Sequence, residues 1–218
     1  MNIVVHVGNH GPMPVATQAL ADALQQEEQK LATLPPKDRL SKMPLFLLAH
    51  RAHNTSTQQR TDIITTISGH LSFERICYRD SLDTPLGQKQ QKAWHKPFLW
   101  FGKQYTINLQ LNINGSSSMM GVVASQRDVI SMHTFIDRYD NYLLTALYDM
   151  TTSSGSLVLP LCLMETTMTL DSFYDAATLE ECHQLETWGA DAELEARLSA
   201  LKQQWRILFD FVRLCRPQ

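Results

Sequence analysis

The sequence predicts an α/β fold. A βαβαβ N-terminal half with parallel strands is followed by an antiparallel hairpin and C-terminal helices, α+β in character. Three observations carry this expectation. Short apolar runs alternate with helix-period segments over the first 78 residues. Apolar and polar residues alternate strictly from Tyr105 to Ile113. Apolar residues then recur at helical spacing near the C-terminus. A β-α-β-α-β order implies parallel strands joined by crossover helices.

The elements follow in chain order. Ile3, Val4, Val5 and Val7 are β-branched and read as a buried strand over 2–8. The turn Gly8-Asn9-His10-Gly11-Pro12 comes next, and Pro14 suits a first helical position. Ala16, Ala19, Leu20, Ala23, Leu24 and Leu31 continue that helix. Pro44 to Ala49 is a second strand-like run, and Leu71 to Tyr78 a third. Between them, Asn54 or Thr55 caps a helix carrying Ile63, Ile64 and Ile67. Residues 79–96 read as a long polar loop. Asn114-Gly115 turns the 105–113 strand back into a partner over Met119–Ala124. Ser125 and Asp128 form a capping box for a helix running through Leu147. Pro160 makes Leu157–Met164 an edge strand or an irregular core segment. A short acidic helix lies within 169–187, and Asp191 caps a last helix to Cys215.

With 218 residues, 44% hydrophobic and 19% charged, the chain suits one folded domain over 1–218. A sub-boundary, if there is one, falls in 79–96. No run of 18 apolar residues occurs, and no basic stretch precedes the first apolar run, so neither a transmembrane helix nor a signal peptide is expected. Cys77, Cys162, Cys182 and Cys215 form no Cys-x-x-Cys pair and read as reduced thiols of a cytoplasmic protein. Phosphate-loop, dinucleotide-binding, His-Glu-x-x-His and Gly-x-Ser-x-Gly motifs are missing, which lowers the odds of the enzyme classes that carry them.

A parallel sheet would gather ligands beyond the carboxyl ends of its strands. There the sequence places His10 after the first strand, His50, Arg51 and His53 after the second, and Cys77, Arg79 and Asp80 at the third. His10 is the candidate catalytic residue, as nucleophile or general base. His50, Arg51, His53 and Asp80 are the candidate ligand-binding residues. Imidazoles could hold a metal, but a closed zinc site needs four ligands, so no metal or other cofactor is assigned. Arg51 and a helix N-terminus could instead hold a phosphate.

Val5-His6-Val7-Gly8-Asn9-His10-Gly11, followed by an Ala/Leu helix, resembles the start of the mannose-type phosphotransferase IIA domain. It is also similar to the His-Gly turn of the small cobalt and sirohydrochlorin chelatases. The likeness covers about 20 residues of generic β-turn-α pattern. It implies a phosphoryl-accepting role for His10. The rest of the chain departs from the IIA domain in its hairpin-plus-helix second half.

Leu194, Leu198, Leu201, Trp205, Leu208 and Val212 repeat at 4-3 spacing on the last helix. Such a seam either meets a protein partner or second copy, or docks on its own domain. Ile207, Phe209 and Phe211 widen the apolar surface and favour docking. From Lys37 to Lys103 there are 11 Lys and Arg against 5 Asp and Glu. Within that region Lys89, Lys92 and Lys96, with Arg75, Arg79, Trp94 and His95, form a candidate nucleic-acid segment over 75–96. A pI of 6.2 argues against it, since dedicated binding domains exceed about 9. The leading reading is a protein-interaction or regulatory protein that uses the C-terminal apolar helix, through Leu194, Leu198, Leu201, Trp205, Leu208 and Val212, to bind a protein partner or form a homodimer. The alternatives are a small enzyme or phosphoryl carrier using His10, His50 and His53, and a nucleic-acid binder. No membrane association is expected.

Overall fold

The computed structural model describes residues 3–7, 11–113, 123–166 and 168–216. Its elements are β1 (Ile3–Val5), β2 (Met13–Val15), α1 (Gln18–Lys30), α2 (Pro36–Arg39), α3 (Pro44–His53), α4 (Thr57–Gly69), β3 (Tyr78–Arg79) and α5 (Pro85–Tyr105). They continue with β4 (Asn112–Ile113), α6 (Gln126–Ile136), α7 (Asn141–Ser154), α8 (Val158–Glu165), α9 (Leu170–Ala177), α10 (Leu179–Trp188) and α11 (Ala192–Cys215). Single 3-10 turns occupy 40–42, 70–73 and 75–77.

The fold is therefore mostly helical, and the α/β expectation is wrong. β1 and β2 form an antiparallel pair, with Ile3 opposite Val15. β1 thus leads into a second strand rather than directly into a helix, unlike the βα start of the two families it resembles. β3 and β4 are two residues each and pair in parallel. Pro14 lies in β2, and Thr17 caps α1 instead, its hydroxyl accepting the Leu20 N–H at 3.1 Å.

Two expected strands are helices. Pro44–Ala49 opens α3, with Pro44 in the first turn and Phe46, Ala49 and Ala52 buried at three-residue spacing. Leu157–Met164 coincides almost wholly with α8, whose Val158–Met164 face is buried all round. A short apolar run carries no period that separates strand from buried helix. Leu71–Tyr78 is 3-10 turns rather than strand, with only its last residue in β3.

The expected loop 79–96 is mostly the first half of α5. Thr84 caps this helix by accepting the Gly87 N–H at 3.0 Å. Gly87, Gln90, Trp94, Pro97 and Phe101 are its buried positions. That stripe has helical spacing, but Gly and Gln at two positions hide it from a hydrophobic pattern. Gly87 is required by space: a Cβ there would lie 2.0 Å from the Ser81 carbonyl oxygen.

The expected 105–113 strand is only partly one. Thr106, in the left-handed region at φ 55°, ends α5. Ile107 and Leu109 then point inward while Asn108 and Gln110 face solvent, as the alternation implies. Gln110 donates its backbone N–H to the Val123 carbonyl at 2.8 Å, and Val123 donates to Ser72 at 3.1 Å. The Asn114-Gly115 turn and residues 119–122 of the return strand lie outside the described residues. The helix expected through Leu147 is broken at 137–140, where Asp140 caps α7 by accepting the Leu143 N–H at 2.8 Å. The acidic segment 169–187 holds two helices, α9 and α10. Asp191 does cap α11, and the Ser125–Asp128 capping box forms.

Helix α8 packs against α5, α7 and α9, and α7 packs in turn on α3, α4 and α11. The residues just before α8 and α3, Leu157 and Met43, give them no side-chain cap. Glu74, fully buried, supplies one to α8: its Oε2 accepts the N–H groups of Leu157 at 2.7 Å and Val158 at 3.1 Å. Glu27 supplies one to α3, accepting from Leu45 at 3.1 Å and Phe46 at 3.0 Å. Burial pushes both carboxyls above the ordinary 4.5, while these backbone donors pull back. Among the described residues, no helix is long and apolar enough to cross a membrane.

Glu74→Ala orphans buried N–H groups and should cost about 3 kcal/mol, at roughly 1–3 kcal/mol per unpaired group, read as a lower urea midpoint. Glu27 makes a pH prediction. Its unfolded carboxyl ionises near 4.5 and its folded one above that value. Stability from this group is therefore full below 4.5 and declines as pH rises toward the folded pKa. The stability of the wild type relative to Glu27→Gln should fall across that window in paired urea titrations, and a pH-independent difference would refute the assignment.

Candidate functional site

The crevice expected at the strand ends has no sheet to form it. His10 lies outside the described residues. His50, Arg51 and His53 stand on α3 instead of following a strand, and both histidines are exposed. The His50 ring lies 5.6 Å from Phe46, centroid to centroid. Arg51 is ion-paired with Asp149 of α7. Asp80 belongs with α5: its N–H donates to Gln90 Oε1 at 2.7 Å, and its Oδ1 accepts the Ser81 N–H at 2.8 Å. Among the described residues, no three His, Cys, Asp or Glu side chains are grouped to hold a metal.

The seam on α11 faces the chain's own core. Leu194, Leu198, Trp205, Leu208 and Val212 are buried, and Leu201 is half-buried. Trp205 packs edge-on against Phe173 at 5.0 Å and donates its Nε1–H to Ser153 Oγ at 2.8 Å. The docked alternative is the one observed. Arg51 and Leu208 do meet, at a groove of about 480 Å³ between α3, α7 and α11 whose wall includes the exposed Leu47.

A larger groove, of about 770 Å³, runs between α5 on one side and α8, α9 and α10 on the other. Its α5 wall carries Lys89, Lys92 and Lys96, with Ala93, Pro97 and Trp100 beneath. The spacing 89, 93, 96, 100 is that of one helix face. The opposite wall brings Cys162 and Met168 together with Ala176, Leu179 and Cys182, and its rim carries Asp175 and Glu186.

Buried polar contacts hold the two walls in place. Trp94, on the buried stripe of α5, donates its Nε1–H to the Ala176 carbonyl at 2.8 Å. Arg75 Nη2 lies 2.8 Å from both Glu180 and Glu181, and its Nη1 donates to the Ala177 carbonyl at 2.9 Å. Burial pulls its guanidinium pKa down, yet the two carboxylates more than offset this, so Arg75 stays charged. Gln90 Nε2 donates to Glu180 Oε1 at 2.8 Å. Arg79 is buried, bonded to the Ile76 carbonyl and to Gln91, and stacked 5.4 Å above Phe98.

The nucleic-acid segment is thus dispersed: Trp94 cannot stack a base, Arg75 is committed to carboxylates, and Arg79 is enclosed. The three lysines remain. Lys89 is ion-paired with Glu186, which its ammonium holds below the ordinary carboxylate range. Lys92 and Lys96 are exposed and have no carboxylate partner among the described residues. Burial raises the Cys162 thiol, which keeps it protonated. The groove therefore offers apolar area and free ammonium groups, the means of binding a surface. The basic residues of this wall were visible in the sequence. The opposite wall was not, because it comes from positions more than 60 residues away with no shared motif.

Residues 5–102 match the family described as ATP12 chaperone protein. Atp12 from Paracoccus denitrificans has a similar structure: the sequences are 24% identical, the TM-score is 0.84, and the match covers 97% of this chain and 88% of that one. A point mutant of the P. denitrificans protein matches at 22% identity and a TM-score of 0.85, with the same coverage. The Atu1473 protein of Agrobacterium tumefaciens, described as a candidate chaperone, matches at 22% identity and a TM-score of 0.78 over 98% of this chain and 84% of that one. No curated protein sequence matches the chain. The structural likenesses show that it has the fold of these proteins.

Arg75→Ala leaves two carboxylates facing each other under the groove. Breaking a buried pair costs about 3–5 kcal/mol, but part of this site is open to solvent, so about 2 kcal/mol is expected here. Amide exchange should quicken in α10 more than in α11, which native-state hydrogen exchange can resolve.

Proposed function

We propose that this protein is a chaperone, a binding protein that shelters an exposed segment of another polypeptide in the α5–α10 groove. The observation that carries the reading is the groove itself: an apolar floor flanked by unpaired Lys92 and Lys96. Polypeptide-binding surfaces combine an apolar centre with a polar rim. The match of residues 5–102 to a chaperone family, and the shared fold, support the same reading. The α11 seam no longer serves as the interaction surface, because its side chains stabilise the chain itself. One chain forms the groove alone, so the proposal needs no homodimer.

A binding chaperone should suppress aggregation of a denatured client in proportion to its own concentration. Light scattering during dilution of an acid-unfolded client protein measures this directly. Suppression that saturates near one chain per client supports the proposal, and undiminished scattering at tenfold excess overturns it.

A further inference from the structure

We propose that the groove takes an amphipathic helix of the client, with a row of acidic side chains seated on Lys92 and Lys96. This inference rests on the chaperone reading and specifies its occupant. The first argument concerns backbone groups. Apart from Thr166 and Met168 the walls of the groove are helices, whose N–H and C=O groups are bonded internally except at Pro97, which has no N–H to offer the Ala93 carbonyl. An extended segment laid on such walls would find no ladder to satisfy its own backbone over the apolar floor. A helix arrives with those bonds already made.

The second argument concerns size. From Lys89 to Trp100 the α5 wall spans about 17 Å at 1.5 Å per residue, or roughly three helical turns. A volume of about 770 Å³ suits the side chains of one helix face, with the helix backbone resting above the rim.

The third argument is charge, and it fixes orientation. The groove is electrically lopsided. Glu186 neutralises Lys89 at one end of the α5 wall. Lys92 and Lys96 stand one turn apart and exposed, without a counter-ion among the described residues. Like charges four residues apart repel on a helix, and a carboxylate between them would relieve that repulsion. The opposite rim presents Asp175, which would repel a second acidic edge. The client helix should therefore be acidic on one side of its apolar stripe only.

Two fluorescein-labelled helical peptides of 16 residues would test this. Both carry the same leucine stripe; one has glutamates at i and i+4 along one edge, and the other has lysines there. Anisotropy titrations against the whole chain at low salt should show the acidic peptide binding at least tenfold more tightly. The double variant Lys92→Glu, Lys96→Glu should reverse the order. Both positions are exposed, so the variant should keep its thermal melt. Equal affinity for the two peptides, or a preference that survives the charge swap, overturns the proposal. So does a single-stranded oligonucleotide that displaces the acidic peptide at lower concentration than the unlabelled peptide does. Failure of the peptides while the wild type still suppresses client aggregation removes the helical occupant alone. Failure of both assays removes the chaperone reading as well.

Discussion

The Glu74 carboxylate at the head of α8 is the interaction on which the rest of the molecule depends. Helix α8 is apolar along its length and encased by other helices, so water cannot satisfy its first N–H groups. Each is accounted for. Glu74 accepts from Leu157 and Val158, and Ser156 Oγ accepts from Leu159 at 3.0 Å. Pro160 has no N–H to satisfy, and Leu161 donates to the Leu157 carbonyl at 3.2 Å. A proline that looks like a strand-breaker is thus placed where its missing donor costs nothing. Once α8 is anchored, α5 and α9 have a floor to pack on, and the groove has walls.

The same device explains where the sequence was legible. Two of the locally capped helices announced themselves through their caps: Ser125 with Asp128 before α6, and Asp191 before α11. The two helices taken for strands, α3 and α8, both take a cap from a distant carboxyl, although α8 has Ser156 beside it as well. Glu27 reaches across 18 residues and Glu74 across 83. A cap that distant leaves no signature beside the helix it starts, so only a short apolar run remained visible. Helix α5 was obscured differently, since its buried stripe includes Gly87 and Gln90. Those residues face inward for close approach and hydrogen bonding, which a hydrophobic pattern does not register.

The candidate site was half legible for a related reason. Lys89, Lys92 and Lys96 lie in one stretch and stood out as a cationic segment. Their opposing wall is assembled by Arg75, Gln90 and Trp94 gripping α9 and α10, contacts made between residues about 80 to 106 positions apart. The histidine constellation went the other way. It was drawn from a parallel sheet, and without that sheet His50 and His53 are exposed residues of one helix. The α11 seam forms the amphipathic helix that its spacing implies, but most of the side chains expected to meet a partner pack on the chain itself, and the breadth of the apolar face was the signal for docking.

The wide separation of these contacts bears on how the chain matures during synthesis. Glu74 finds its partners at 157 and 158, Arg60 finds Asp137 and Asn141, and Arg75 finds Glu180 and Glu181. Each pairs a residue made early with one made late. Glu74, Arg60 and Arg75 emerge with these partners not yet made, and loop closure must precede any reward. The groove can exist only after position 186 has left the ribosome. The groove is therefore completed in the last stage of folding, and an N-terminal fragment would carry the lysines of α5 without a cleft beside them.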